Sequence, residues 1–391
     1  MSLNDSSDSP IFQPFSGFHF ASDLAHDPTS EPFDTLPLTA FDPLSTSINV
    51  RSLAARSTDA GEAARIADTV NRWKTERTIV PDDTERFYLY EMANLQDPSL
   101  RVNGVVGALL LDRVGLRVVP HEETTNRGFE RWVTSLRASH MNIDPIIGLS
   151  GSRDLGPLLQ RSGRVRRRIV ANDGWVHTVS DIVDPEQIRA ISLVVGERPV
   201  SLADGHHRYH AALAFAETMG ASSYERAGSI LAFISTSDTR GLGIHPFHRL
   251  LPNLETVDVA ALSRDFVVTP GQPAPPDRPG SIVLLTGDET WNLAPLPTHL
   301  MTLPSPWRRA SSAVAQTLLY PHLGIKEADC NYTTSLEAAL AHAATGAPAL
   351  LMAPLDGSTI AEAGRLGLRF PQKTTFFAPK PRAGVVLRAI V

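Results

Sequence analysis

The stretch that most constrains this chain is SLADGHHRYHAALAFAETMG, residues 201–220, with SILAFISTS (229–237) close behind it. An apolar run stops at Asp204, Gly205 follows, and good helix formers then run to Gly220, a natural left-handed C-cap. Ser229–Ser237 is a second apolar run. This order predicts a strand–turn–helix–strand unit, with His206, His207 and Arg208 in the first turn of the helix. Three histidines, an aspartate and an arginine therefore crowd the seven positions from Asp204 to His210.

Other elements are read by the same periodicities. Residues 1–50, rich in Pro, Ser, Asp and Phe, read as loops with short strands pinned by aromatics. Asp59–Thr78 has helical apolar spacing at Ala63, Ile66 and Val70. Arg86–Met92 and Val102–Arg113 read as strands. A further strand is predicted to end at Val119, then a loop carrying HEETT, then a helix through Leu136. Ile143–Gly151 and Gly174–Ile182 read as strands, and Ile188–Asp204 as a run alternating into the strand that stops at Asp204. Gly271–Gly280, with four prolines, reads as a linker or long loop and sets a soft boundary shortly before it. Beyond it, Ser281–Thr286 and Ala347–Leu355 read as strands. Ser311–Gly324, Ser335–Gly346 and Ser358–Gly367 read as helices. No internal repeat is found.

A length of 391 residues favours two domains, or one large α/β unit with an appended lobe. Hydrophobic residues at 42% and charged residues at 20% are enough for a sizeable core. The net charge of −6 excludes a global attraction to nucleic acid or to an anionic membrane. The basic run RSGRVRRR (161–168) reads as a solvated loop or strand edge, with phosphate contact as the alternative. One cysteine, Cys330, excludes an internal disulfide framework and any Cys-rich zinc site, and favours a reducing, cytoplasmic setting. No apolar stretch is long enough to span a bilayer, and MSLNDSSDSP does not read as a secretory signal.

At the turn, backbone N–H groups without intrahelical partners and the helix dipole favour an anion. Gly205 lets the backbone approach a ligand, while His206, His207 and Arg208 supply charge-assisted donors. These are the ingredients of a phosphate site without a Walker-type loop. Asp204 is then available to bind magnesium or to orient a hydroxyl. Two other readings stand beside this one. His206 and His210, four apart, can share a helical face as zinc ligands, although no HExxH pattern is present. The segment also reads as a plain polar helix start.

Several stretches carry a resemblance in order along the chain. They are FQPFSGF, EPFD, RFYLYEM, VVPHEETT, ADGHHRY, HPFHRLL and FPQKTTFFAPKPRAGVV. Together they resemble the bacterial and archaeal family known as domain of unknown function 1015. The ADGHHRY and PQKTT-F-x-PK elements are the most specific. This chain departs from the family at His210, where glutamate is usual, after HEETT, where NRGFERW follows, and at the degraded EPFD. The DGHHR turn is also similar to that of the ParB/sulfiredoxin-like fold, including free serine kinases. Sulfiredoxin-like chemistry needs a cysteine in this turn, where His206 stands.

The resemblance implies an α/β (α+β) fold: a mixed-sheet ParB/sulfiredoxin-like core over 85–254, an irregular N-terminal segment and helix packing on it over 1–84, and a C-terminal α/β lobe over 255–391 whose last strand returns to the first lobe. It implies a phosphotransferase using ATP or ADP with Mg2+ on an amino acid or similar hydroxyl compound, with a homodimer left open and no nucleic-acid or membrane partner. Glu122 becomes the general base, with His121 and Thr124 beside the substrate. Asp204 and His207 join the catalytic set. Gly205, His206, His207 and Arg208 hold phosphates, with Lys373 and Thr374 closing over an anion. His248, Arg249 and Lys380 line the substrate side, and Asp204 is the magnesium ligand. A nucleotide-hydrolysing switch, a metal-dependent phosphatase or hydrolase on the same anion site, and a non-enzymatic binding module are the alternatives.

Overall fold

In the computed structural model, residues 10–36, 48–124, 129–161, 163–219, 226–236 and 241–390 are described. They form two units. The first comprises residues 1–120, 124–242 and 379–391, and the second residues 121–123 and 243–378.

The first unit is built on a nine-stranded mixed sheet. Its strands are β1 (Phe12–Gln13), β2 (Phe87–Asn94), β3 (Arg101–Leu110), β4 (Val118–Pro120), β5 (Ile146–Ser150), β6 (Val165–Val170), β7 (Trp175–Ile182), β8 (Val200–Asp204) and β9 (Ser229–Thr236). The order is β4-β8-β5-β9-β3-β2-β7-β6, with β1 paired to β3. β8 runs parallel to β4 and β9 parallel to β5, and the other pairs are antiparallel. The glycines of VNGVVGALLL make room for rings: a Cβ at Gly104 would lie 2.3 Å from the Phe233 side chain, and one at Gly107 2.4 Å from Phe12. The arginine-rich run enters edge strand β6, where Arg166 is not solvated but ion-paired with Asp82 and Asp181.

Helices α1 (Ala60–Thr75), α2 (Phe129–Ser139), α3 (Pro185–Gly196) and α4 (His206–Thr218) belong to this unit. Leu89, Val105, Ile146, Ile191, Leu202, Phe215 and Ile234 anchor one buried apolar cluster. Phe20, Phe33, Trp73, Met141 and Leu387 anchor a second, which ties the N-terminal segment to α1. The region read as alternating before Asp204 contains α3. Asp184 caps it by accepting from the Glu186 N–H, Pro185 occupies its first turn, and Gln187, Ile191, Ser192 and Val195 are buried at helical spacing. Gly220, the expected C-cap of α4, lies outside the described residues. At the end of the chain, Arg388–Ala389 pairs with Met141–Asn142 in the first unit.

The second unit has a six-stranded antiparallel sheet of β10 (His248–Leu250), β11 (Phe266–Pro270), β12 (Ile282–Thr286), β13 (Glu289–Pro295), β14 (Asn331–Thr333) and β15 (Ala349–Met352), ordered β11-β13-β12-β15-β10-β14. Helices α5 (Leu336–Ala343) and α6 (Gly357–Arg365) follow the expected segments. The proline-rich stretch 271–280 is a loop between β11 and β12 inside this unit. The division falls at 242/243, twelve residues ahead of the expected 254/255 boundary, because β10 pairs with β14 and β15. Ser311–Leu323 is helical, with a π-helical turn over Ala315–Leu319 ahead of Pro321, a residue that lacks the N–H an α-helix would use there.

Candidate functional site

In the first unit, β8 ends at Asp204 and α4 begins at His206, with Gly205 between them at φ 86°, ψ 25°. Left-handed backbone costs a residue with a Cβ about 1–2 kcal/mol. Here a Cβ would also lie 2.7 Å from Ile146 Cγ2, so glycine is required on both counts. Being glycine, the N-cap offers no side-chain acceptor to the first N–H groups of the helix. His206 is buried in the first turn, and His207 beside it is half-exposed. The turn is held from behind by Tyr209, whose hydroxyl accepts from the Asp112 N–H at 2.8 Å and donates to the Asp112 carbonyl at 3.2 Å. Burial pushes that phenol up to about 12.

Asp204 and Arg208 form the centre of a chain of alternating charges. The Asp204 carboxylate receives Lys380 Nζ on Oδ1 at 2.7 Å and Arg208 Nη2 on Oδ2 at 2.9 Å. Arg208 Nη1 contacts Asp144 Oδ1 at 2.8 Å and donates to the Pro145 carbonyl at 2.6 Å. The guanidinium lies 5.8 Å from the centroid of the Trp132 ring. Arg208, Lys380 and Asp144 are all less than a tenth exposed. The resemblance gives Asp204 to magnesium, yet both its oxygens are held by cations. Among the described residues, no group of three or more His, Cys, Asp or Glu is placed to hold a metal ion. Asp204 is thus engaged by Lys380 and Arg208, and the described residues do not by themselves supply a zinc ligand set here. His210 instead shares a hydrogen bond of 3.0 Å with Thr124 Oγ1.

The remaining sequence candidates lie in the second unit, around the turn 371–375. Glu122 Oε1 accepts from the Thr375 N–H at 2.7 Å and from its hydroxyl at 2.5 Å. His121 Nε2 lies 2.8 Å from Thr375 Oγ1, and its ring meets Phe377 edge-on at 5.9 Å. Thr374 Oγ1 pairs with Ser312 Oγ at 2.7 Å. Lys373 takes a positive φ of 54°, and its ammonium sits 4.9 Å from the Phe247 ring centroid. Arg249 is fully buried; it donates to the carbonyls of Phe247 (2.7 Å) and Gln372 (3.3 Å) and pairs with Glu327 at 3.2 Å. His248, also buried, accepts the Met352 N–H on Nδ1 at 3.2 Å. Burial, and then the charge of Arg249, lowers the His248 pKa to about 4. His248 and Arg249 therefore act within the unit's interior.

The candidates thus sort into two groups. Asp204, Gly205, His206, His207, Arg208, Lys380 and Thr124 belong to the first unit. His121, Glu122, Lys373, Thr374, His248 and Arg249 belong to the second. Sequence reading missed Asp144 and Trp132, whose only signal was an acid before a proline and an aromatic in a helix. It also missed Thr375 and Glu327.

Residues 12–318 match the family described as "Protein of unknown function (DUF1015)". No curated protein matches the sequence. Among solved structures, a free serine kinase in complex with AMP is similar at 14% identity and TM-score 0.38, covering 71% of this chain and 88% of that one. A conserved hypothetical protein from Pyrococcus furiosus is similar at 14% and 0.38, covering 71% and 91%. SbnI with a C-terminal truncation, from Staphylococcus aureus, is similar at 13% and 0.40, covering 71% and 84%. Likeness this loose carries no chemistry to this chain.

Proposed function

This chain belongs to the DUF1015 family, and from that premise we propose that it is a nucleotide-dependent phosphotransferase acting on a small hydroxyl compound, a free amino acid such as serine being the first acceptor to test. The observation that carries the proposal is the left-handed Gly205 turn, which delivers the start of the 13-residue helix α4 beside the Asp204–Lys380–Arg208 cluster. Phosphoryl transfer asks a protein chiefly for positioning and charge stabilisation. The nucleotide supplies the transferable phosphoryl group. The backbone N–H groups at the helix start take phosphate oxygens, with the dipole behind them. His207, half-exposed in the first turn, adds a side-chain donor. Asp204 is a positioning residue: it fixes Lys380 and Arg208 so that their charges stay at the turn without rearrangement.

Glu122, the general base that the family resemblance implies, lies in the second unit with its Oε1 held by the Thr375 N–H and hydroxyl, and no step at the turn is assigned to it. The test is to incubate the protein with the magnesium salt of ATP or ADP and a panel of amino acids, reading products by mass spectrometry. A phosphorylated amino acid is expected. Steady release of free phosphate with no phosphorylated acceptor would overturn the phosphotransferase in favour of a hydrolase.

A further inference from the structure

β6 lies at one edge of the nine-stranded sheet, and among the described residues β7 is the one strand paired with it. The Ala171 N–H donates to the Trp175 carbonyl on β7 at 3.0 Å. Antiparallel partners exchange both bonds at every second residue, so Ile169 and Arg167 also face β7. Arg168 and Val170 then turn their N–H and C=O groups outward, where no strand of the described residues meets them. Side chains alternate in step: Ile169 is buried, whereas Arg168 is exposed and Val170 is 60% exposed. The charge on this edge is only partly engaged. Arg166 is taken up by Asp82 and Asp181, and Arg167 by the Phe20 carbonyl and Asp27. Arg164 and Arg168 are exposed, and among the described residues no acid pairs with either.

We propose that β6 accepts an extended acidic segment of a partner protein as an added antiparallel strand. Strand addition takes its affinity from main-chain hydrogen bonds and its specificity from alternate side chains. An incoming strand with acids at every second position sets one beside Arg168, and its other side chains lie on the face of Ile169. It also covers the exposed surface of Val170. Arg164 and Arg161, both exposed, flank the start of β6 and add to the attraction. A second copy of this chain is the wrong occupant, because it would lay one arginine run along another. Arginine at this edge therefore admits an acidic strand and turns away a like-charged one.

Fluorescence anisotropy tests this with a labelled peptide of about eight residues that alternates glutamate and valine. Wild type should bind it, more weakly as salt rises, and should not bind the lysine–valine counterpart. Arg168→Glu should weaken the acidic peptide by about tenfold. Arg168→Lys should stay within a few-fold of wild type, which guards against a variant that simply fails to fold. Methylating the glutamate backbone nitrogens keeps the charge and removes the donors that face β6, since directly opposed antiparallel residues exchange both bonds. That peptide should not bind. Equal binding of the methylated peptide overturns strand addition and leaves only a charged surface. No binding of the acidic peptide by wild type, or unchanged binding by Arg168→Glu, overturns the proposal outright. A concentration-dependent dimer that Arg168→Pro dissolves would make a second copy the occupant and overturn the acidic partner.

Discussion

At the scale of single residues, Asp204 repays the closest look. Sequence chemistry suggests a free carboxylate, yet both its oxygens face buried cations. Removing one partner from a buried ion pair leaves an uncompensated charge and costs roughly 3 kcal/mol. Asp204→Asn should therefore lower unfolding free energy in urea by about that much. Lys380→Met should cost less in an Asp204→Asn background than in the wild type, by at least about 1 kcal/mol, since the two changes share one contact. Additive losses would mean that the 2.7 Å contact contributes little. The residue level is also where legibility in the sequence ends soonest. The need for glycine at 205 was visible in an Asp-Gly step between strand and helix. The Lys380 partner, 176 positions from Asp204, left no local trace, and Asp144 lacked any pattern that would raise it above other acids.

At the scale of elements, β10 carries a pH dependence. His248 holds the N–H of Met352 on β15 with a neutral ring nitrogen. Burial first, and Arg249 second, lower its pKa to about 4, against about 6.5 when unfolded. Above pH 6.5 neither state carries the proton and the full stability is present. Between about 6.5 and 4 the unfolded chain takes up a proton that the folded chain refuses, so stability falls as pH falls, by about 3 kcal/mol in all. Urea midpoints measured across that window should fall more steeply for wild type than for His248→Gln. Parallel curves would place the depressed value elsewhere. Elements with clear periodicity, such as α1, β2 and β9, were legible from the sequence. α3 was obscured because its apolar residues merge with those of β8 across a short connection. The π-helical turn before Pro321 comes from a missing donor whose consequence only the folded helix displays.

At the scale of the whole molecule, the chain enters the second unit twice and returns for its last residues. Those residues close the first unit. Besides Lys380, the Arg382 N–H reaches the Tyr90 hydroxyl at 2.9 Å, the Leu387 N–H reaches the Phe18 carbonyl at 2.9 Å, and Arg388–Ala389 pairs with Met141–Asn142. Deleting 379–391 should abolish cooperative unfolding of the first unit, seen as loss of protected amides in β2, β8 and β9 by hydrogen exchange. Retained protection there would make the tail an accessory. The overall α/β class was legible because sheets and helices announce themselves by period. The interleaving of the units was not, since chain crossings carry no composition of their own. The most direct test of the phosphate-binding turn is a crystal structure of the protein with ADP. It should show phosphate oxygens within hydrogen-bond distance of the backbone N–H groups at the start of α4, with Lys380 still on Asp204. Phosphates bound away from that turn, with the helix start facing only solvent, would contradict it.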